Sequence, residues 1–280
     1  MADPTFVTMY RKEQIATFEQ RYSKLRACCT RETVVKGNAV VFQVSGVGTV
    51  QAVTRGVNGL ISYGRTDNTQ STCTLVETHA TANRTSFDIT ATQGDMKMQM
   101  QKEVAGKLNK DIDQSIIDQL DTATLDTGGY AEASLDMVMK AKVQLGNNNV
   151  PVEDAESMFG IITPAFQAFL IQLKEFSSKD YVTMQPFTGL PMMKVVRWLD
   201  VNWMVHTGLT GIGTASEKCY LFHKEAMGHG ANAAEMQVLA DYNGEQDYSW
   251  ARATLYHNAK LLQNSGIVQM KHDGSRYVAS

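Results

Sequence analysis

The residues that could bind a metal ion are six histidines, and their spacing argues against a metal site. No two of them form the HxxxH or HExxH pattern that places zinc ligands on one face of a helix. The nearest pair, His223 and His229, lies six residues apart, which puts the two rings on different faces of a helix. The other four are His79, His206, His257 and His272. The histidine pattern therefore predicts no metal site.

Two glycine pairs begin like phosphate-binding loops, Gly46-Val47-Gly48 and Gly211-Ile212-Gly213. Neither has the third glycine, the lysine or the following helical pattern that such a loop needs, so both are predicted to be turns. No GxSxG nucleophile elbow is present. The triplet Asn83-Arg84-Thr85 matches a glycosylation site only formally, because we predict a cytosolic protein. These patterns indicate no cofactor site.

Four aspartates, Asp111, Asp113, Asp118 and Asp121, lie close together in one helical segment. Paired carboxylates can act as a general acid and base. We predict instead that this acidic row is the solvated side of the helix. The sequence thus predicts no catalytic residue and does not indicate an enzyme.

The composition is that of a soluble globular protein with a substantial core: 280 residues, 43% apolar, 20% charged, formal charge −3. The charge balance does not favour a surface that binds nucleic acid throughout. No apolar run approaches the roughly 20 residues that span a bilayer, and the N-terminus has no apolar signal region. Four cysteines are scattered, with Cys28 and Cys29 adjacent, which favours reduced thiols over disulfides or a CxxC site.

The dominant element is a predicted helix over residues 95–124, with Asp95 as its N-cap. Apolar side chains recur at every fourth residue, a spacing that keeps them on one side of a helix. About 30 residues at 1.5 Å each would form a rod of roughly 45 Å. Because the stripe turns about 40° at each step, we expect the two ends of the helix to pack against different partners. The stripe comprises Met96, Met100, Val104, Leu108, Ile112, Ile116 and Leu120.

A two-limbed β projection is predicted before this helix. Its first limb alternates, with Val40, Phe42, Val44, Val50 and Ala52 on the apolar face. A Gly- and Asn-rich stretch separates this limb from a second β-rich run at 71–80, and the segment 86–90 alternates again. A lone hairpin is marginally stable in water, so its apolar face is expected to lie against another subunit.

The rest of the chain is predicted to alternate between helices and strands. Residues 1–36 form a polar arm with one short amphipathic helix carrying Ile15, Phe18, Tyr22 and Leu25. The later elements are a helix at 135–145, a strand and helix within 159–176, strands at 194–205 and 218–223, a short helix at 225–230, and strands at 236–242, 248–257 and 266–270.

This order of elements resembles the major capsid proteins of tailed double-stranded DNA bacteriophages, whose fold is named after phage Hong Kong 97. The phrase FQVSGVGTVQAVTRGVNGLI resembles the first limb of the extended loop of that family. SFDITATQGDMKMQMQKEVAGKLNKDID resembles the run into its spine helix, and WARATLYHNAKLLQNSGIVQM its usual ending. The resemblance implies an α+β fold with an N-terminal arm at 1–36, an extended β loop at 37–92, a peripheral domain with the spine helix at 93–146 and 236–280, and an axial α/β domain at 147–235.

The resemblance also implies a function and partners. The chain would assemble as hexamers and pentamers into an icosahedral virion shell, formed in the host cytoplasm, that encloses double-stranded DNA without reading its sequence. A scaffolding protein, a portal protein at one vertex and a decoration protein are the expected partners. Two alternatives remain open at this point: the shell protein of an encapsulin nanocompartment, which has the same fold, and a cytosolic α/β enzyme with an unrecognised motif.

The tip of the projection, residues 55–67, is predicted to contact a neighbouring subunit. Leu60, Ile61 and Tyr63 are too apolar for an exposed tip, and Arg55 and Arg65 could pair with carboxylates across the interface. Some members of the resembled family cross-link subunits through a lysine in this loop. No lysine occurs between Lys36 and Lys97, so we expect no such bond here.

Overall fold

The computed structural model of the chain describes residues 22–34, 37–46, 48–91, 96–173, 182–183, 196–232 and 236–277. The helices are α1 Ser86–Ala91, α2 Met96–Leu120, α3 Leu135–Asn147 and α4 Pro164–Gln172. The strands are β1 Thr30–Val34, β2 Ala39–Gly46, β3 Asp67–Thr74, β4 Val76–Thr85, β5 Met158–Ile162, β6 Val182–Thr183, β7 Val196–Trp198, β8 Val201–Val205, β9 Glu217–His223, β10 Met227–Asn232, β11 Gln237–Asn243, β12 Tyr248–Leu261 and β13 Ile267–His272.

The strands form two sheets and a separate hairpin. A five-stranded sheet has the order β1-β10-β12-β11, and β4 also pairs with β12. A six-stranded sheet has the order β13-β9-β5-β8-β7-β6. The hairpin is the β2–β3 pair. The last strand, β13, lies beside β9 rather than beside β12, so the residues after 236 contribute to both sheets.

Helix α2 lies against the five-stranded sheet and contacts β4, β10, β11 and β12. Strand β12 alternates strictly, and its helix-facing side carries small residues, Ala251, Ala253 and Ala259, which allow close packing. The same core includes Phe159 and Tyr220 of the six-stranded sheet, so α2 joins the two sheets. All seven stripe residues of the predicted helix are buried.

The end of α2 is set by a residue distant in sequence. The Nε2 group of Gln269, on β13, donates to the backbone carbonyls of Leu120, Asp121 and Ala123 at 3.4, 3.0 and 2.9 Å. The last carbonyls of a helix have no hydrogen-bond donor within the helix, and the Gln269 side chain provides one here. The helix therefore stops at Leu120, four residues before the predicted end; the predicted N-cap, Asp95, lies outside the described residues.

The segment 86–90 is a helix, which corrects the prediction of a strand. The hydroxyl of Thr85 accepts the backbone N–H of Asp88 at 3.2 Å, as a capping residue does at a helix start. Ser86 is also held by Asp247, whose Oδ1 accepts its hydroxyl at 2.6 Å. The local capping bond and the bond to the distant Asp247 together outweigh the short apolar alternation.

The segment 225–230, predicted to be a short helix, is mostly strand β10. It runs between β1 and β12, and all its residues from Met227 to Ala231 are buried. Its small residues Gly228 and Gly230 lie directly under side chains of the hairpin. The pairing of β10 with β1 and β12 and its packing under the hairpin thus outweigh the local sequence pattern that predicted a helix.

The described part of the predicted strand 194–205, residues 196–205, is two strands joined by a tight turn, not the single strand predicted. Leu199 and Asp200 connect β7 to β8 with φ of 51° and 58°. Two consecutive residues with positive φ form the type of turn that suits a two-residue hairpin. The turn leaves β8 in the middle of the sheet beside β5.

The helix predicted around residues 15–25 is only partly covered by the structure. Ile15 and Phe18 lie outside the described residues. Leu25 is fully buried, whereas Tyr22 is 61% exposed. Further along, residues 30–34 of the predicted arm form β1, which pairs in parallel with β10.

Candidate intersubunit surface

In the described part of the chain, the buried apolar contacts that anchor the β2–β3 hairpin lie near its base. Its two strands pair in antiparallel register from Ala39–Thr74 to Gly46–Asp67. Val40, Phe42 and Cys73 form a small core with Leu75 and Leu262. This cluster is the only part of the two strands with buried apolar side chains among the described residues.

The side chains at the base of the hairpin pack against two glycines of β10. A Cβ built on Gly228 would lie 2.9 Å from the Phe42 ring, and one on Gly230 would lie 2.7 Å from Cγ2 of Val40. Real Cβ atoms do not approach other carbons this closely, so only glycine fits under the hairpin.

Replacing Gly230 by alanine is expected to lower the free energy of unfolding by about 1–3 kcal/mol through overpacking. The β-branched side chain of Val40 has little rotational freedom with which to move aside. Urea denaturation measures the loss. Gly129→Ala is the matched control, because nothing lies within 4 Å of a Cβ at that position. Equal effects of the two substitutions would contradict the close packing of the hairpin against Gly230.

Beyond Gly46 the two limbs continue without regular strand pairing. Thr49 donates its backbone N–H to the carbonyl of Arg65 at 2.9 Å, one residue out of register with the ladder below. Gly48 has φ of 57°, as a residue in a β-bulge often does. The predicted apolar face therefore ends early: Val40 and Phe42 are buried, whereas Val50 is 44% exposed.

The tip is a turn closed by the backbone N–H of Gly56, which donates to the carbonyl of Leu60 at 2.9 Å. Gly59 occupies the left-handed region with φ of 73°. The five residues predicted to contact a neighbour lie at this end of the hairpin, and all are exposed: Arg55, Leu60, Ile61, Tyr63 and Arg65.

Large apolar side chains at the tip are far more exposed than is usual for a monomer. Leu60 is 74% exposed, Tyr63 is 96% exposed, and Val57 at the top of the turn is fully exposed. Several highly exposed apolar side chains concentrated at one tip indicate a contact surface. Val57 is not among the five residues predicted from the sequence to contact a neighbour. An apolar residue directly before the turn dipeptide Asn58-Gly59 could have identified it as part of the tip.

A second feature links the arm and the residue after β8 to helix α2 through Asp113, which is fully buried. Its carboxylate accepts the hydroxyl of Ser23 at 2.6 Å and the backbone N–H groups of Lys24 and Leu25 at 3.0 Å. His206, which follows β8, lies 3.2 Å away through Nε2. Burial acts to raise the pKa of Asp113, but these hydrogen bonds outweigh it and hold the pKa below its ordinary value.

The tautomer of His206 follows from its neighbours. Its Nδ1 accepts the backbone N–H of Gly208 at 2.9 Å and so carries no proton. The proton of the neutral ring is therefore on Nε2, from which it is donated to Asp113.

Asp121, at the end of α2, makes a similar link to the six-stranded sheet. Its Oδ1 accepts Lys218 Nζ at 2.8 Å and the Tyr220 hydroxyl at 2.6 Å, and Thr210 donates to Oδ2. Burial acts to raise the pKa of Asp121, and these bonds lower it below its ordinary value. The prediction that the acidic row is solvated is thus wrong for Asp113 and Asp121. Their partners lie far away in sequence, so helical spacing could not reveal them.

The histidines and cysteines do not converge on a reactive site in the described part of the chain. No group of three potential metal ligands occurs there. His229 and His257 are buried and stacked, with ring centroids 5.7 Å apart, and burial lowers the pKa of His229 to about 3. All four cysteines are free and buried. No described helix has the length and apolar character that crossing a membrane requires.

Comparison with known proteins identifies the family. A comparison with curated proteins found no match. Among solved structures, the capsid of cyanophage P-SCSP1u superposes with a TM-score of 0.70 at 13% identity, covering 96% of this chain and 93% of that chain. A chain of Mycobacterium phage Che8 superposes with a TM-score of 0.71 at 18% identity, covering 96% and 98%. The capsid of Ralstonia phage GP4 gives 0.71 at 10% identity, covering 96% and 95%.

These likenesses confirm the predicted α+β capsid fold. The family model described as phage capsid protein matches residues 2–274, nearly the whole chain. We conclude that the chain belongs to the phage capsid protein family.

Proposed function

We propose that this capsid shell protein assembles as hexamers and pentamers into the icosahedral shell that encloses the double-stranded DNA of a phage. The observation that carries the proposal is the exposed apolar tip of the β2–β3 hairpin, which has no cover within the described chain. The family match favours a phage capsid over an encapsulin shell and points to a structural rather than an enzymatic role.

The two sheets belong to different domains of the proposed shell subunit. We propose that the five-stranded sheet with α2 makes up the peripheral domain, predicted at 93–146 and 236–280, and that the six-stranded sheet with α4 makes up the axial domain, predicted at 147–235. Helix α3 falls in the predicted peripheral range but packs on the six-stranded sheet, and β10 falls in the predicted axial range but pairs in the five-stranded sheet, so we move both. We assign β13 to the axial sheet and β4 to the peripheral sheet, because that is where they pair. The arm (1–36) and extended loop (37–92) would reach neighbouring subunits.

Negative-stain electron microscopy of the purified chain, alone and with a co-expressed scaffolding protein, tests this proposal. We expect rings or closed shells, and in phage particles a portal at one vertex with DNA inside. A stable monomer at high micromolar concentration, with residues 40–90 fully protected from proteolysis, would contradict it. A scaffolding protein, a portal protein and a decoration protein are the partners proposed.

The mature shell is expected to contain no covalent links between subunits through the extended loop. An isopeptide bond needs an amine nucleophile, and the loop offers only arginines, whose guanidinium groups stay protonated. The cysteine of the hairpin, Cys73, is 1% exposed and unsuited to a disulfide between subunits. Particles boiled in detergent with reductant should run as one band near 30.9 kDa. A ladder of covalent oligomers would refute this.

A further inference from the structure

The turn at the tip of the hairpin contains an asparagine followed directly by a glycine, Asn58-Gly59. Asn58 is exposed, and Gly59 occupies the left-handed region. The backbone N–H of Gly59 donates to the carbonyl of Gly56 at 2.9 Å. The side chain of Asn58 makes no hydrogen bond to the described part of the chain. Within that part, only the backbone turn orients its amide.

An Asn-Gly pair of this kind can lose ammonia without an enzyme. The backbone nitrogen of Gly59, once it has given its proton to water, attacks Cγ of Asn58. The N–Cγ bond forms, the Cγ–Nδ2 bond breaks, and Nδ2 takes a proton from water and leaves as ammonia. Water then opens the five-membered imide at either carbonyl. The net change is asparagine plus water to aspartate or isoaspartate plus ammonia, and no oxidant or reductant takes part.

The structure of the tip favours this reaction. Glycine has no Cβ, so its nitrogen is unhindered and its backbone rotates easily. The bond from Gly59 to Gly56 must open before the nitrogen can attack. Val57 and Leu60, on either side of the pair, are exposed, and a turn without buried neighbours opens at little cost in free energy. The nitrogen and the amide carbon can therefore meet.

The chain contains one other Asn-Gly pair, Asn243-Gly244, and its amide is restrained. Oδ1 of Asn243 accepts the backbone N–H groups of Glu245 and Gln246 at 3.0 and 3.4 Å. Its Nδ2 donates to the hydroxyl of Tyr248 at 3.3 Å. These bonds hold the amide in the turn between β11 and β12, so it reacts only after they break. The same dipeptide thus occurs once unrestrained and once restrained in one molecule.

The reaction at the tip would place a carboxylate in the predicted contact surface. Deamidation adds one negative charge close in sequence to Arg55, which is predicted to meet a carboxylate of a neighbour. The new carboxylate repels that of the neighbour and competes with it for the guanidinium group. Isoaspartate also inserts a methylene carbon into the backbone of the turn. Both products therefore oppose the contact.

We propose that Asn58 is a site of spontaneous deamidation, and that this reaction makes the tip of an unassembled subunit unfit to join a shell. The second part rests on the proposed function. A subunit within a shell is protected, because contact with a neighbour holds the turn closed. The reaction therefore excludes from assembly those subunits that have stayed unassembled for long.

Mass spectrometry of the full chain tests the first part. The folded, unassembled subunit is incubated in mildly alkaline buffer and then digested with trypsin in mildly acidic buffer, which slows further reaction. Cleavage at Arg55 and Arg65 releases residues 56–65. We expect Asn58 to deamidate at least about tenfold faster than Asn243, because breaking a hydrogen bond costs up to about tenfold in rate. A rate at Asn58 equal to or below that at Asn243 would overturn the proposal and leave the shell proposal intact.

The yield of shells tests the second part. Wild type should lose yield during incubation in step with deamidation of Asn58. Asn58→Gln should keep its yield, because the longer side chain closes a six-membered imide slowly. Fresh Asn58→Asp should assemble about fivefold less well than fresh Asn58→Gln, since the added carboxylate acts as one surface charge.

Two outcomes would count against the effect on assembly. Deamidated wild type that assembles like fresh protein, or equal yields from the two fresh variants, would overturn the second part alone. If fresh wild type and Asn58→Gln both fail to assemble, the shell proposal fails and the second part with it, whereas a fast reaction at Asn58 would still establish the modification site.

Discussion

Replacing Arg55 and Arg65 together by glutamate is expected to reduce the yield of assembled shells by about tenfold or more, with the fold of the subunit intact. Both side chains lie on the exposed tip of the hairpin and contribute nothing to the core. A surface ion pair is worth only about 0–1 kcal/mol. In the predicted contact with carboxylates of a neighbour, reversal would turn two attractions into repulsions at every copy of the interface, and each loss of about 1.4 kcal/mol is tenfold in affinity.

The measurement is the amount of sedimenting particle per milligram of protein, checked by negative stain. Circular dichroism and a urea midpoint equal to those of the wild type show that the subunit remains folded. The matched control is Arg55→Lys with Arg65→Lys, which keeps both charges. Normal shell yield from the glutamate variant would refute the predicted contact, as would equal loss from the lysine control.

Asp113→Ala is expected to lower the free energy of unfolding of the subunit by about 3 kcal/mol. The substitution leaves the backbone N–H groups of Lys24 and Leu25 without an acceptor in a buried site, and removes the charged partner of Ser23 and His206. Hydrogen bonds to a charged group are worth about 1.5–3 kcal/mol, and each unsatisfied buried donor costs about 1–3 kcal/mol.

Asp118→Ala on the same helix is the control. That carboxylate is exposed, and its one hydrogen bond within the described part of the chain comes from Gln114, so its loss should stay within about 0.5 kcal/mol. Urea denaturation of the unassembled subunit measures both variants. If the two substitutions have equal effects, Asp113 does not anchor the arm.

The stability contributed by Asp113 should depend on pH with a defined sign. Its pKa is lowered in the folded state from the ordinary value of 3.8, so the unfolded state binds the proton more readily. The stability that Asp113 contributes is therefore complete above its ordinary pKa. It is lost as pH falls through the pKa of Asp113 in the folded state. Wild type should lose more stability than Asp113→Ala between pH 5 and the acid limit of the measurement.

The sequence by itself determined the features that depend on neighbours within one or two helical turns or along one strand. The four-residue spacing located α2 and seven of its ten buried residues, because a helix places such residues on one side. The strand and helix predicted within 159–176 are β5 and α4, and the hydroxyl of Thr163 caps the start of α4 by accepting the N–H of Phe166 at 3.2 Å. The apolar residues of the tip were conspicuous because no local element could cover them.

The tertiary structure alone decided which distant segments meet. Asp113 is buried because Ser23, 90 residues away, and His206, 93 residues away, surround it, and helical spacing assigned it to the solvent. Residues 227–230 form a strand because the hairpin and two neighbouring strands enclose them, although their own sequence does not favour one. The physical reason is the same in both cases. The free energy of a buried carboxylate or a glycine-rich strand is set by the partners that exclude water from it, and those partners are brought close only when the whole chain has folded.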